Sequence, residues 1–212
     1  MLRISRIFLL CLFAYSVSGC SDQSQTSVED QTALQNGDII FQVSKSSQSK
    51  AIQLATGSKY SHMGIIYNNG GNLSVYEAVQ PVKLTPLDDW IKRGENGHFV
   101  VKRLKDADQL LSSQVLNQMK EVGQKYISKD YDVYFEWSDE RIYCSELVWK
   151  IYNEVLGIEI GNLQDLSEFD LSNEAVKQKI KERYGENIPL DEKVISPGEM
   201  FNSDLLITVL EG

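Results

Sequence analysis

The run YSHMGIIYNNGGNLSVYEA, Tyr60 to Ala78, constrains the fold of this chain more than any other stretch. Two β-rich segments, Met63 to Tyr67 and Leu73 to Val79, flank a cluster of Asn and Gly that signals a tight hairpin. Asn69-Gly70 is a favoured pair for a type I′ turn, because both central positions need positive φ and these two residues tolerate it. With that turn Asn68 faces Gly71, and the register carries His62 opposite Glu77. The same pairing follows if Asn68 to Gly71 is all loop, whereas a loop one residue longer breaks it. Directly opposed residues have Cβ atoms about 4.5–5.5 Å apart, close enough for a carboxylate to hold an imidazole by one ring nitrogen. At this point His62 is open to three readings: a packed core histidine, a metal ligand or a catalytic base.

The segments around the hairpin interleave strands and helices. Gly37 to Val43 reads as a strand after a turn, and Ser46 to Gly57 as a short helix closed by glycine. A helical turn is expected around Pro86 to Gly94 and a strand at His98 to Leu104. From Asp108 to Tyr126, apolar Leu110, Leu111, Val115, Met119 and Val122 recur near a 3.6-residue period, which predicts the longest amphipathic helix. In Cys144 to Gly157, Leu147, Val148, Ile151, Tyr152 and Val155 form one apolar face and Gly157 ends it. Glu159 to Pro189 reads as a charged helical excursion, and Leu205 to Leu210 as a last strand. Adjacent strands joined by short turns argue for an α+β fold with a mainly antiparallel sheet.

The N-terminus sets the expected compartment. Arg3 and Arg6 precede an apolar run from Ile7 to about Val17, too short to span a bilayer, so residues 1–19 read as a secretory signal. VSGC, Val17 to Cys20, resembles a bacterial lipobox, which implies cleavage before Cys20 and lipid attachment to its thiol. Ser21 then favours sorting to the outer membrane of a Gram-negative envelope, facing the periplasm. Residues 20–34 are polar and read as a tether, leaving 35–212 as one domain with room for a core and a cleft. The formal charge is −9, and −11 without the signal's arginines, which makes nucleic acid a poor partner. Of three cysteines, Cys11 leaves with the signal and Cys20 is acylated on this reading, so the domain carries one thiol, Cys144. In an oxidising compartment that thiol is either inert filler or reactive.

Cys144 falls in the first turn of its helix, where unsatisfied N–H groups and the helix dipole stabilise a thiolate, and a neighbouring imidazolium adds to this. Cys144, His62 and Glu77 then fit nucleophilic catalysis. Cys144 attacks a carbonyl, His62 exchanges the proton, Glu77 fixes the tautomer, and the N–H groups of Cys144 and Ser145 face the oxyanion. GDIIFQ, YSHMGIIY, the YEAV strand and IYCSELVWKIY together resemble the YiiX-like branch of the NlpC-like cysteine hydrolases, the circularly permuted papain-like amidases. In that family the histidine strand precedes the cysteine helix, as here. The resemblance covers most of residues 36 to 157. It implies a papain-like core with a groove between the cysteine helix and the sheet, and it carries the nucleophile to Cys144, the base to His62 and the third member to Glu77.

Other residues carry further expectations. Tyr60 and Tyr143 flank the catalytic candidates and either line the cleft, donate to the oxyanion or simply pack. Glu146 is expected to cap the helix, and Asp38 either closes a turn or touches substrate. His98 is expected to be an ordinary strand residue. A metal site at Cys144, His62 and Glu77 lacks the close ligand pair of local zinc motifs, so neither metal nor cofactor is expected. The expected substrate is an amide, either in the cell-wall stem peptide or in a small molecule such as an N-acyl amino acid. A thiol acyltransferase and a non-catalytic peptide-binding lipoprotein are the alternatives.

Overall fold

A computed structural model of the chain describes residues 33–212. The signal, most of the tether and Cys20 lie outside the described residues. Six strands form one antiparallel sheet: β1 (Ile39–Ser44), β2 (His62–Asn69), β3 (Asn72–Glu77), β4 (Lys83–Pro86), β5 (Gly94–Leu104) and a last strand, Leu206–Glu211, at the edge beside β5. Their order across the sheet is last strand, β5, β1, β2, β3, β4. Between β1 and β2 runs helix α1 (Ser49–Thr56), ended by Gly57 at φ +63°. Helix α2 (Leu87–Arg93) joins β4 to β5.

Alternation along the strands sorts side chains onto two faces. Ile39, Phe41, Met63, Ile65 and Val100 belong to the main core, which also holds the cysteine helix. Ile40, Ile66, Val75, Phe99 and Val101 form a second core with Leu87 and Trp90 of α2. The expected long helix is two, α3 (Ala107–Leu110) and α4 (Ser113–Gln124). Ser112 breaks it: its backbone is extended and its hydroxyl accepts from Val115 N at 3.3 Å, starting a new helix. The apolar period continues across the break, which is why the pattern reads as one helix.

Two short strands, β6 (Asp130–Tyr131) and β7 (Arg141–Ile142), pair in parallel ahead of α5 (Cys144–Leu156). Leu147, Val148, Ile151 and Tyr152 of α5 are buried against the sheet, each stabilising the fold by about 1.5–3 kcal/mol relative to exposure. Residues 159–189 are more than a helix. They contain β8 (Gln164–Asp165), a short 3-10 turn (Leu166–Glu168) and α6 (Glu174–Tyr184), and β8 pairs with β9 (Lys193–Val194) beyond them. Helix α7 (Pro197–Phe201) then leads to the edge strand, β10 (Leu206–Glu211).

The hairpin register differs from expectation by two residues. Asn69 pairs with Asn72, so Gly70 and Gly71, at φ +61° and +91°, are the turn, and Asn68 Oδ1 accepts from Gly71 N at 2.8 Å. Two glycines meet the positive-φ requirement better than Asn-Gly, and the pairing moves accordingly. Continued toward the strand ends, this register sets Gly64 opposite Glu77 and leaves His62 one diagonal away on the same face. A one-residue slip turns a side chain to the other face, whereas a two-residue slip keeps it.

Gly64 is what lets the diagonal pair meet. A Cβ there would fall 2.5 Å from Val75 Cγ1, 2.6 Å from the Tyr76 carbonyl oxygen and 3.4 Å from Glu77 Cβ. Gly64→Ala is expected to lower the unfolding free energy by about 1–3 kcal/mol, since β2 has strands on both sides and cannot yield. Urea denaturation checks this, and a change under about 0.5 kcal/mol would contradict the close approach.

Candidate active site

His62 stands at the first residue of β2, where the sheet ends, with Gln42 of β1 as its cross-strand partner. Its face is that of α2, and its ring lies against Trp90 with centroids 5.9 Å apart and planes 25° from parallel. His62 Nε2 meets Glu77 Oε2 at 2.6 Å. The second ring nitrogen, Nδ1, is not engaged by Glu77, and the Cys144 side chain is close enough to favour the charged ring. Cys144 is buried at the N-terminus of α5, which packs on the opposite face of the sheet. The site therefore forms around the end of β2, joining groups from both faces.

Glu77 is fully buried, and each of its oxygens is engaged. Oε2 faces His62, while Oε1 accepts from Thr85 Oγ1 at 2.5 Å and from the Arg93 guanidinium. Burial alone would raise its pKa, but His62, Thr85 and Arg93 hold it below the ordinary carboxylate value. Burial likewise opposes a charged His62. The hydrogen bonds and charges of Cys144 and Glu77 outweigh it and raise the imidazole to about 9. For a raised basic group, the linked stability is fully present below the ordinary value of about 6.5 and is lost as pH rises through about 9. A charged imidazole beside the sulfur is thus the favoured state at neutral pH.

At the helix start, the N–H groups of Cys144 and Ser145 have no intrahelical acceptors. Glu146 caps the helix as expected, accepting from Tyr143 N at 3.3 Å and pairing with Lys150 at 2.7 Å. Burial nevertheless raises the Glu146 carboxyl to about 8. Ser145 and Tyr143 reach the site wall, but their hydroxyls are committed to Ile195: Ser145 Oγ donates to its carbonyl at 2.8 Å, and Tyr143 Oη accepts from its N–H at 3.1 Å.

Two other expected contributors lie elsewhere. Tyr60 is buried in the main core between Phe41 and Phe201, so its placement is packing. Asp38 closes the turn before β1, accepting from Gln35 N at 2.8 Å and from Arg103 at 2.6 and 2.8 Å, four residues along β1 from Gln42. His98 is a β5 residue 3.5 Å from Glu211 at the sheet edge, as expected of an ordinary strand position.

Two cavities meet at the site. Cys144 lines a narrow one that is walled by Ala51, Ile52 and Ala55 of α1 and by Leu166, Phe169 and Ile180 of the 159–189 segment. Its accessible lining is almost wholly apolar, with Lys179 and Arg183 also on its wall. His62 lines the other, a wider cleft whose accessible surface is also mostly apolar but whose wall carries Lys45, Lys92 and Arg93. Gln48, Ser61 and Tyr131 border both, and Gln48 Nε2 donates to Tyr131 Oη at 3.0 Å. Burial and then the charge of Cys144 push the Tyr131 phenol far above its ordinary value, so it is a neutral hydrogen-bond donor beside the sulfur. Tyr131, Gln48, Thr85 and Arg93 were not evident from the sequence, since only the fold brings these separated residues to Cys144 and Glu77.

The family model of the permuted papain-like amidase enzymes, YaeF/YiiX, C92 family, matches residues 33–210. A protein from Escherichia coli strain K12, described as the uncharacterized protein YiiX, is 51% identical over 175 residues, covering 82% of this chain and 85% of the relative. A crystal structure of YiiX from Escherichia coli O157:H7 matches with a TM-score of 0.80 and 51% identity, covering 84% of this chain and 97% of that one. That structure is described as a metalloprotein. Among the described residues here, no group of three or more His, Cys, Asp or Glu side chains is arranged to hold a metal ion, and the Glu77 carboxylate is spent on His62, Thr85 and Arg93. The residues do not fit a metal, and no step below uses one. The fold is the permuted papain-like one, and the chain belongs to this family of cysteine amidases.

Proposed function

We propose that this chain is a lipid-anchored envelope hydrolase that cleaves the amide of an N-acyl substrate through Cys144, His62 and Glu77. The observation that carries the reading is the partition of the site, with sulfur on a narrow apolar cavity and imidazole on a wider cleft that carries Lys45, Lys92 and Arg93. In this arrangement the acyl half of the amide lies on the sulfur side and the amine half on the imidazole side.

The Cys144 thiolate attacks the carbonyl carbon, and the oxygen takes up the negative charge against the N–H groups of Cys144 and Ser145, with Tyr131 as a neighbouring donor. Charged His62 gives its Nδ1 proton to the departing amine as the C–N bond breaks, leaving a thioester on Cys144 and a neutral imidazole. Water attacks the thioester carbonyl while His62 takes its proton. The carboxylic acid leaves, and the thiolate and imidazolium are restored. Glu77 holds the ring throughout by Nε2. An apolar acyl group in the cavity loses contact with water on binding, at roughly 0.8 kcal/mol per buried methylene. This favours N-acyl amides over the polar acyl groups of a wall stem peptide. The same cavity would serve an acyltransferase in which an amine replaces water.

Two expectations follow for the full-length protein. N-dodecanoyl amides are expected to be cleaved with kcat/KM at least about tenfold above their N-acetyl counterparts, and Cys144→Ala is expected to abolish both reactions. Ala55→Trp, which fills the cavity, is expected to remove the chain-length preference. Equal cleavage of the two acyl groups, or a faster stem-peptide cut, would refute the assignment of the cavity. Recovery of an N-acylated product when a second amine is supplied would favour transfer. The anchor is checked separately by mass spectrometry: protein recovered from membranes should begin at an acylated Cys20, and Cys20→Ser should leave the chain unlipidated.

A further inference from the structure

The boundary between the two cavities carries a chain of three side chains that no element of secondary structure requires. Gln48 stands at the N-cap of α1, yet its side chain makes no cap hydrogen bond. Instead its Oε1 accepts from the Arg183 guanidinium at 2.6 Å, and its Nε2 donates to Tyr131 Oη at 3.0 Å. Arg183 belongs to the last turn of α6, and its guanidinium lies over the Phe135 ring, 4.7 Å from the centroid. Phe135 has φ +54°, a left-handed backbone that bulky residues rarely adopt, so the platform under Arg183 is held at a cost. Tyr131 is tied at its backbone: its N–H donates to Gln80 Oε1 at 2.7 Å, and it pairs with Ile142.

Donor chemistry fixes the direction of every bond in this chain. An arginine can only donate, so the Gln48 atom that faces it must be the amide oxygen. The amide nitrogen is then turned to Tyr131, and it too can only donate. Tyr131 Oη is thereby an acceptor toward Gln48, and its single proton is left over. Among the described residues no hydrogen bond takes that proton, and the phenol lines both the cavity of Cys144 and the cleft of His62. Without Arg183 the amide is free to turn over and present its oxygen to the phenol, which would then spend its proton on the protein.

Resting on the amide-hydrolase reading above, in which Tyr131 neighbours the oxyanion, we propose that Arg183 and Gln48 are positioning residues that aim the Tyr131 proton at the oxygen of the reacting carbonyl. Arg183 sets the amide, the amide sets the phenol, and the phenol donates to a charge that develops only after the sulfur has attacked. The contribution therefore belongs to the transition state and falls on kcat, with KM little changed. It also makes the oxyanion donor depend on the 159–189 segment. Helix α6 supplies both Ile180 on the apolar wall and Arg183, so the phenol is aligned only where that wall is in place.

The test uses octanal as well as an amide, so that it does not depend on turnover. The Cys144 sulfur adds to the aldehyde carbon, the C=O π bond opens, and the oxygen takes a proton from His62 while the oxyanion donors hold it. Affinity is read as protection of Cys144 from iodoacetamide in the full-length protein. Gln48→Glu keeps the size of the side chain and its bond to Arg183 but replaces the amide donor by an acceptor for the phenol proton. This variant and Tyr131→Phe are each expected to weaken octanal binding about tenfold and to lower kcat on an N-dodecanoyl amide about 100-fold. Arg183→Met should shift both in the same direction, whereas Arg183→Lys, still a pure donor, should stay within about threefold of the parent. In Tyr131→Phe protein, adding Gln48→Glu should cost under about twofold more. An undiminished loss there, or parent-like affinity and kcat in Gln48→Glu, would overturn the relay, as would a parent that octanal does not protect. The same pattern with octanal, together with no amide cleavage by the parent, would keep the relay and sink the hydrolase reading instead.

Discussion

The site depends on one buried carboxylate. Glu77 is fully removed from water in a strand between β2 and β4, where an isolated charge would cost several kcal/mol. Three donors, His62, Thr85 and Arg93, make the charge tolerable there. The consequence reaches outward: the carboxylate fixes Nε2 of the imidazole, which leaves Nδ1 unengaged and keeps the ring charged beside the sulfur. The fold provides for this at several points. Gly64 clears the space above Glu77, Trp90 backs the ring, and α5 delivers the sulfur around the sheet end with the positive pole of its dipole.

Much of this was legible in the sequence because the relevant signals are short in range. The glycine-rich turn, the alternation of the strands and the helix start at Cys144 are each contained within a few residues. The exact turn was not legible, as Asn69-Gly70 and Gly70-Gly71 are both good turn centres, and the structure uses the second. His62 and Glu77 still meet, because the two differ by an even step. The break at Ser112 was hidden by an apolar period that runs across it. Tyr60 and Asp38 show the opposite limit. Each carries two readings in the sequence, Tyr60 beside His62 and Asp38 after Gly37, and the structure uses packing for the first and the turn for the second.

The shape of the site lay beyond the sequence for a different reason. Its apolar cavity is assembled from α1, from Cys144 and from the 159–189 segment, which are joined by no common motif. That segment reads as polar because most of α6 faces solvent. Val176 and Ile180 are its buried residues, meeting Ala51 of α1 in a small core with Tyr184 packed beside them. Two buried apolar residues on a charged helix are too few to announce a cavity wall, yet with their neighbours they shape one. The Arg183 bond to Gln48, and from there to Tyr131, ties this wall to the boundary between the two cavities.

The central claim is that His62 stays charged beside the Cys144 sulfur because Glu77 holds it. Its most direct test is the rate of Cys144 alkylation between pH 5 and 10 in the full-length protein, in His62→Ala and in Glu77→Gln. With the imidazole raised to about 9, the alkylation rate of the parent should change near that pH, a step that His62→Ala lacks and that moves to lower pH in Glu77→Gln. Superimposable profiles in all three proteins would contradict the pairing and, with it, this account of the site.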